Sequence, residues 1–171
     1  MKKIKLQTKN LTVTAMMIPV IAVCAQIAVP FSAVPMTLQT FAVCLTGMLL
    51  GPTRGLAAVF VYLAMGAVGL PVFAGFSGSL AAVTGPTGGF LVGFLALVLF
   101  SAFTAKRGSA VPMLAIGLIL CHLTGTLWFS YVSGTKFSSA LLIVSLPYLW
   151  KDALSCFFSY ILASRLKKHL H

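Results

Sequence analysis

The chain has 171 residues, 60% of them hydrophobic and 8% charged, and its twelve Lys and Arg face a single acidic residue for a net charge of +11. A typical soluble domain carries about 25% charged residues, so composition excludes an ordinary water-facing surface. The basic residues lie between or beyond apolar runs instead of on one patch, which argues against a nucleic-acid partner.

Several apolar runs of roughly 20 residues are each long enough to cross a hydrocarbon core of about 30 Å. They are continuous and do not alternate every second residue as a barrel would. The expected fold is therefore an all-α integral membrane protein, a bundle of about six transmembrane helices. No polar stretch is long enough for a linker, so residues 1–171 read as one transmembrane domain.

In chain order, the basic segment Met1 to Asn10 leads into a first span from about Leu11 to Val29, ending near Pro30. It lacks a small-residue cleavage site and reads as an uncleaved span. The second span runs from about Thr37 to Leu50 and stops at Gly51-Pro52. The third runs from about Gly55 to Gly69. Both fall short of the roughly 17 residues a full crossing needs, so they borrow flanking residues or sit in a thinner part of the bundle. A Gly-rich loop covers Leu70 to about Thr84. The fourth span covers Gly85 to Phe103, the fifth Pro112 to Tyr131, and the sixth Leu141 to Leu166, interrupted at Pro147.

With the N-terminus in the cytoplasm, the inner segments hold Lys2, Lys3, Lys5, Lys9, Arg54, Lys106, Arg107, Arg165, Lys167 and Lys168, and the outer segments hold Lys136. This bias follows the positive-inside rule and places both termini in the cytoplasm. It puts residues 30–36, 70–84 and 132–140 outside. No internal repeat of the inverted-transporter kind is evident.

The polar residues inside these spans are few. Asp152 is the one carboxylate side chain in the sequence, directly after Lys151 in the outer half of span six. An ionisable group within a span points to function because isolated charge there costs at least several kcal/mol. Three readings stand: a Lys151–Asp152 pair that only supports packing, two groups each facing something else, or a proton relay, for which one carboxylate with no His nearby in sequence makes a poor chain. Helix neighbours point about 100° apart, which favours the second of the three, with each group free to meet something else such as a polar ligand.

The segment GLPVFAGFSGSLAAVTGPTGGF, Gly69 to Phe90, offers backbone turns at its glycines, aromatic faces at Phe73 and Phe76, and hydroxyls at Ser77, Ser79, Thr84 and Thr87. It is either a plain connection or a binding loop, and loops beyond about 12 residues are often functional. In VPMTLQT, Val34 to Thr40, Gln39 supplies both a donor and an acceptor. It would suit a neutral ring bearing N–H and C=O groups, or an interhelical hydrogen bond.

His122, alone in span five, reads as a packing residue. His169 and His171 read as solvated. Trp128 and Tyr131 read as interfacial rings. Cys24, Cys44, Cys121 and Cys156 fall inside apolar segments without CxxC spacing and read as small packing residues, with no metal site. The GxxxxGK phosphate loop and HExxH are absent, and no second carboxylate exists for acid–base work. The chain reads as a non-enzyme without a cofactor, the alternative being a membrane enzyme that uses Lys151 and Asp152.

The run VPMTLQTFAVCLTGMLLGPTRGLAAVFVYLAMGAVGLPVFAG, then GPTGGFLVGF and LPYLWKDALS, resembles the BioY family, the biotin-binding membrane subunits of energy-coupling-factor (ECF) transporters. The resemblance covers about Thr14 to Lys168. It implies a six-helix S component of the bacterial plasma membrane, with an outward-facing pocket for biotin. It also implies a transmembrane coupling subunit and two ATPase subunits as partners, which use the ATP.

By matching position, Asp152 is expected to accept the ureido N–H bonds, and Lys151 to serve the ureido oxygen or the ligand carboxylate. Thr37 and Gln39 belong to the first block, Phe73, Gly75 and Gly78 to the second, and Thr87, Gly88 and Gly89 to the third. Many family members carry Lys three residues after the Asp. Ser155 stands there in this chain, and Lys151 precedes the Asp. The AxxxA docking motif common in the family's first helix has near equivalents at Ala15-xxx-Pro19 and Cys24-xxx-Ala28.

Overall fold

The computed structural model describes residues 2–30, 33–107 and 110–170; of residues 2–10, 105–107, 169 and 170 it describes the backbone. Eight α-helices and one short 3-10 turn account for most of the described residues. The first helix, α1 (Lys2–Gln26), begins well before the expected start at Leu11 and keeps Pro19 in its interior. Such a proline is tolerated where neighbouring helices satisfy the freed backbone.

A two-residue strand, β1 (Ala28–Val29), pairs antiparallel with β2 (Met36–Thr37), with Ala28 opposite Thr37. Two helices then meet at the Gly51-Pro52 break: α2 (Gln39–Leu50) and α3 (Pro52–Ala67). Proline is favoured at a helix start because its missing N–H has no intrahelical partner there.

The loop after α3 is not bare. It holds a 3-10 turn (Ala74–Phe76) and the short α4 (Leu80–Thr84), whose N-cap Ser79 accepts the Ala82 N–H. Next come α5 (Gly88–Arg107) and α6 (Ala110–Ser133), the most extensively packed pair. Finally α7 (Phe137–Val144) meets α8 (Leu146–Leu170) at a 48° bend. The break falls at Ser145, two residues ahead of Pro147. The Ser145 carbonyl accepts from both Tyr148 and Leu149 and opens the new helix.

At 12 residues, α2 is about 18 Å long, too short to cross alone. Nearly all of it is buried, and it is apolar around its whole circumference, the pattern of a helix surrounded by others. Its close approach to α5 depends on Gly47, where a Cβ would lie 2.3 Å from the Val98 carbonyl oxygen. The main core joins Ile21 of α1, Val43 and Met48 of α2, Tyr62 of α3, Leu97 of α5 and Cys156 of α8. A smaller cluster, Val34, Phe129, Ala140, Val144 and Tyr148, closes the end near α7.

Among the described residues, α6 alone is long and apolar enough to cross a bilayer unaided, and α7 with α8 qualifies as one bent unit. The outward faces carry Met16, Val23, Phe60, Val92, Ile119, Phe157 and Phe158, all exposed. So much exposed apolar surface on several helices is a liability in water and the expected face toward lipid. Of the charges used for orientation, the side chains of Lys2, Lys3, Lys5, Lys9, Lys106 and Arg107 lie outside the described residues, as do those of His169 and His171.

A buried charged cluster at the end of an apolar cavity

A cavity of about 250 Å³ lies between α2, α5, α6 and α8. One end of it is lined by the 34–37 segment and by Phe73, Ala74 and Ser77 of the long loop. Phe90, Leu91, Phe94, Leu118 and Val144 make the wall largely apolar, and α8 supplies a polar side with Lys151 and Asp152.

Asp152 is the centre of that polar side and is only 6% exposed. Its Oδ1 is in ion-pair contact with the Lys151 ammonium, and its Oδ2 lies 3.2 Å from His122 Nε2. Lys151 Nζ also donates to the Thr37 carbonyl at 2.7 Å. The expectation that Lys151 and Asp152 turn away from each other is therefore corrected. Their Cβ atoms diverge, but the four-carbon lysine stem folds back across the gap. Pairing is what makes the burial tolerable, since a lone ion carries a desolvation penalty of several kcal/mol.

Thr37 and Gln39 sit where β2 turns into α2. Gln39 N–H donates to Thr37 Oγ1 at 3.3 Å, and the Thr37 hydroxyl donates to Gln39 Oε1 at 3.0 Å. Gln39 Nε2 donates to the Tyr62 hydroxyl at 2.6 Å, which donates to the Val72 carbonyl at 3.2 Å. Half of the Gln39 amide capacity is thus used within the protein, tying the start of α2 to α3 and to the loop that follows it.

Phe73 is buried, edge-on to Tyr62 at 5.5 Å and 77°. Its ring lies on Gly66, where a Cβ would come within 2.0 Å. Gln26 of α1 pins the turn from outside: Nε2 donates to the Phe73 carbonyl at 3.1 Å, and Oε1 accepts the Phe76 N–H at 2.8 Å. Gly75 makes that turn at φ +68.

Of the residues singled out in the sequence, Thr37, Gln39, Phe73, Thr87, Lys151 and Asp152 line the cavity together. Gly75, Gly78, Gly88 and Gly89 do not line it. Gly78 lets the loop cross the Leu70 carbonyl, and Gly88 and Gly89 let the start of α5 close on Val83 and on Trp128 of α6. Trp128 Nε1 donates to the Gly85 carbonyl at 2.9 Å, so it holds the loop in addition to any interfacial role.

His122, Tyr148 and Thr40 also line the cavity. From the sequence alone His122 reads as a packing residue, because its partner Asp152 is 30 positions away. The signal available was the one used for Asp152, an ionisable group inside a span. Tyr148, whose hydroxyl donates to the Val34 carbonyl, lies one helical turn before Asp152 and so on the same face.

The profile of the BioY family matches residues 1–171. A probable biotin transporter BioY of Pyrococcus horikoshii is 35% identical over 162 residues, covering 95% of this chain and 98% of that one. The biotin transporter BioY of Thermotoga maritima is 37% identical over 153 residues, covering 86% and 89%. Among solved structures, the S-component for biotin from an ECF-type ABC transporter superposes with a TM-score of 0.86 at 28% identity, covering 96% of this chain and 93% of that one.

Proposed function

The chain belongs to the BioY family, and on that premise we propose that it is the biotin-binding subunit of an ECF uptake system, taking biotin from outside and passing it inward. The observation that carries this reading is the Lys151–Asp152–His122 cluster at one side of a largely apolar cavity. Biotin has an apolar bicycle, a ureido group and a carboxylate, the mixture such a site suits.

In this reading the Asp152 carboxylate accepts the ureido N–H groups, a charge-assisted bond of the stronger kind. Lys151 serves the ureido oxygen or the ligand carboxylate. Thr37, Gln39 and Thr87 supply the remaining polar contacts, and Phe73 covers the bicycle. Gly75, Gly78, Gly88 and Gly89 shape the rim that admits the ligand.

The protein crosses the plasma membrane about six times, with α7 and α8 as one bent span and both termini in the cytoplasm. Two features support this orientation: Arg54, Arg165, Lys167 and Lys168 lie at one end of the sequence-predicted spans, and the 34–37 segment and the long loop, which line the cavity and in this reading form its mouth, lie at the other end. A transmembrane coupling subunit and two ATPase subunits complete the transporter and hydrolyse the ATP.

Equilibrium binding of biotin to the detergent-purified chain tests the assignment, with other vitamins as competitors. Tight binding that only biotin and its close analogues displace is expected. Asp152→Asn should weaken it by about 1.5–3 kcal/mol, the worth of a charged hydrogen bond. A folded protein that prefers another vitamin, or none, would refute the reading. The purified chain alone should hydrolyse no ATP.

A further inference from the structure

The His122 ring touches both the Asp152 carboxylate and the helix break ahead of it. Nε2 lies 3.2 Å from Asp152 Oδ2, and Nδ1 lies 2.9 Å from the hydroxyl of Ser145 at the α7–α8 junction. All three residues are buried. We propose that His122 is the positioning residue for Asp152: it fixes the plane of the carboxylate so that the lone pair left over meets an N–H donor of the ligand. The proposal rests on the biotin-binding reading above.

The chemistry of the partners sets the direction of each bond. A carboxylate only accepts, so Nε2 carries the hydrogen in this contact, and Nδ1 pairs with the Ser145 hydroxyl. An imidazole held at both nitrogens is a rigid plane. Phe90 adds a third constraint, edge-on at 5.8 Å and 86°.

Lys151 cannot set the same geometry. Its ammonium is a point charge on a flexible stem and attracts an oxygen from many directions. It is also shared with the Thr37 carbonyl. The lysine balances the charge of Asp152, and the histidine aims it. An ionised carboxylate offers about four acceptor sites. Lys151 takes a site on one oxygen, His122 a site on the other, and the Thr40 hydroxyl also donates to the carboxylate, so what remains for donors in the cavity is a single direction that the orientation of the carboxylate decides.

Ser145 completes the arrangement. Its backbone N–H donates to the Leu141 carbonyl at 3.2 Å, and its own carbonyl starts α8. The imidazole is therefore referenced to the same helix that carries Asp152, seven residues on.

The test is biotin affinity across a set of variants, each checked for monodisperse folding. Biotin is supplied at concentrations high enough to titrate the weakened ones. His122→Leu keeps an apolar body and removes both nitrogens; it should raise the Kd at least about tenfold. His122→Gln restores an N–H from the same helix position and should recover most of the loss. Ser145→Ala should give a smaller loss in the same direction.

In an Asp152→Asn background, His122→Leu should change the Kd by less than about twofold, since coupled residues are non-additive. Wild-type affinity in His122→Leu, no recovery in His122→Gln, or an equal loss with and without Asp152 would each overturn the positioning role while leaving biotin binding intact. A folded wild-type chain that does not bind biotin would overturn it together with the function it rests on.

Discussion

At the scale of single residues, the site is a problem of burying charge. Lys151 and Asp152 neutralise each other, and His122 and Thr37 take up further bonding capacity. Removing one member of such a pair strands the other, at about 3–5 kcal/mol, whereas replacing both by apolar groups is often near neutral. Lys151→Met should therefore lower the melting temperature more than the double change Lys151→Met with Asp152→Leu, and both should lose biotin. Thermal unfolding in detergent beside a binding assay reads both quantities, and a double variant less stable than the single would contradict the pairing. Tyr62 has a comparable role for the loop. In Tyr62→Phe, Gln39 Nε2 loses its 2.6 Å partner and the Val72 carbonyl its donor, so a loss of about 1–3 kcal/mol of stability is expected.

At the scale of elements, much of the helical layout was legible. Apolar runs located the long helices, and Gly51-Pro52 and Pro147 located two breaks, because proline cannot continue a helix from its interior without loss of a bond. The bend itself falls at Ser145, where the carbonyl that Tyr148 and Leu149 share sits. Other elements were not legible for physical reasons. The β1–β2 pair has two residues per strand, too few to show a period. The 3-10 turn and α4 are held by contacts from elsewhere, above all from Gln26, 47 positions before Phe73. That clamp makes its own prediction. Gln26→Leu leaves the core intact and removes two bonds from the 73–76 turn, so the melting temperature should change little. Amide exchange at Phe76 should accelerate, and biotin should dissociate faster because Phe73 is less firmly seated over the cavity. Unchanged exchange at that amide would show that the turn is held by its internal bonds alone.

At the scale of the whole molecule, the cavity joins residues that the sequence keeps far apart: Lys151 meets Thr37 from 114 positions away. No local pattern encodes such a meeting, so sequence reading could nominate Asp152 and Gln39 separately and still miss His122 between the helices. The direction in which the cavity faces is a global property too. The proposed cavity mouth gathers the 34–37 segment and the long loop, whereas Arg54 opens α3 at the opposite turn, and Lys136 immediately precedes α7. If the mouth faces outward, Lys136→Cys should react with a membrane-impermeant maleimide in intact cells, in a background where the four native cysteines are replaced by alanine. Arg54→Cys should react only after the membrane is opened. The reverse pattern would turn the molecule over and place the mouth on the cytoplasmic side, where a subunit that captures a vitamin from outside has no use for it. Labelling of both positions in intact cells would mean an even number of crossings between Arg54 and Lys136, in place of the three that the proposed topology assigns to α3, α5 and α6.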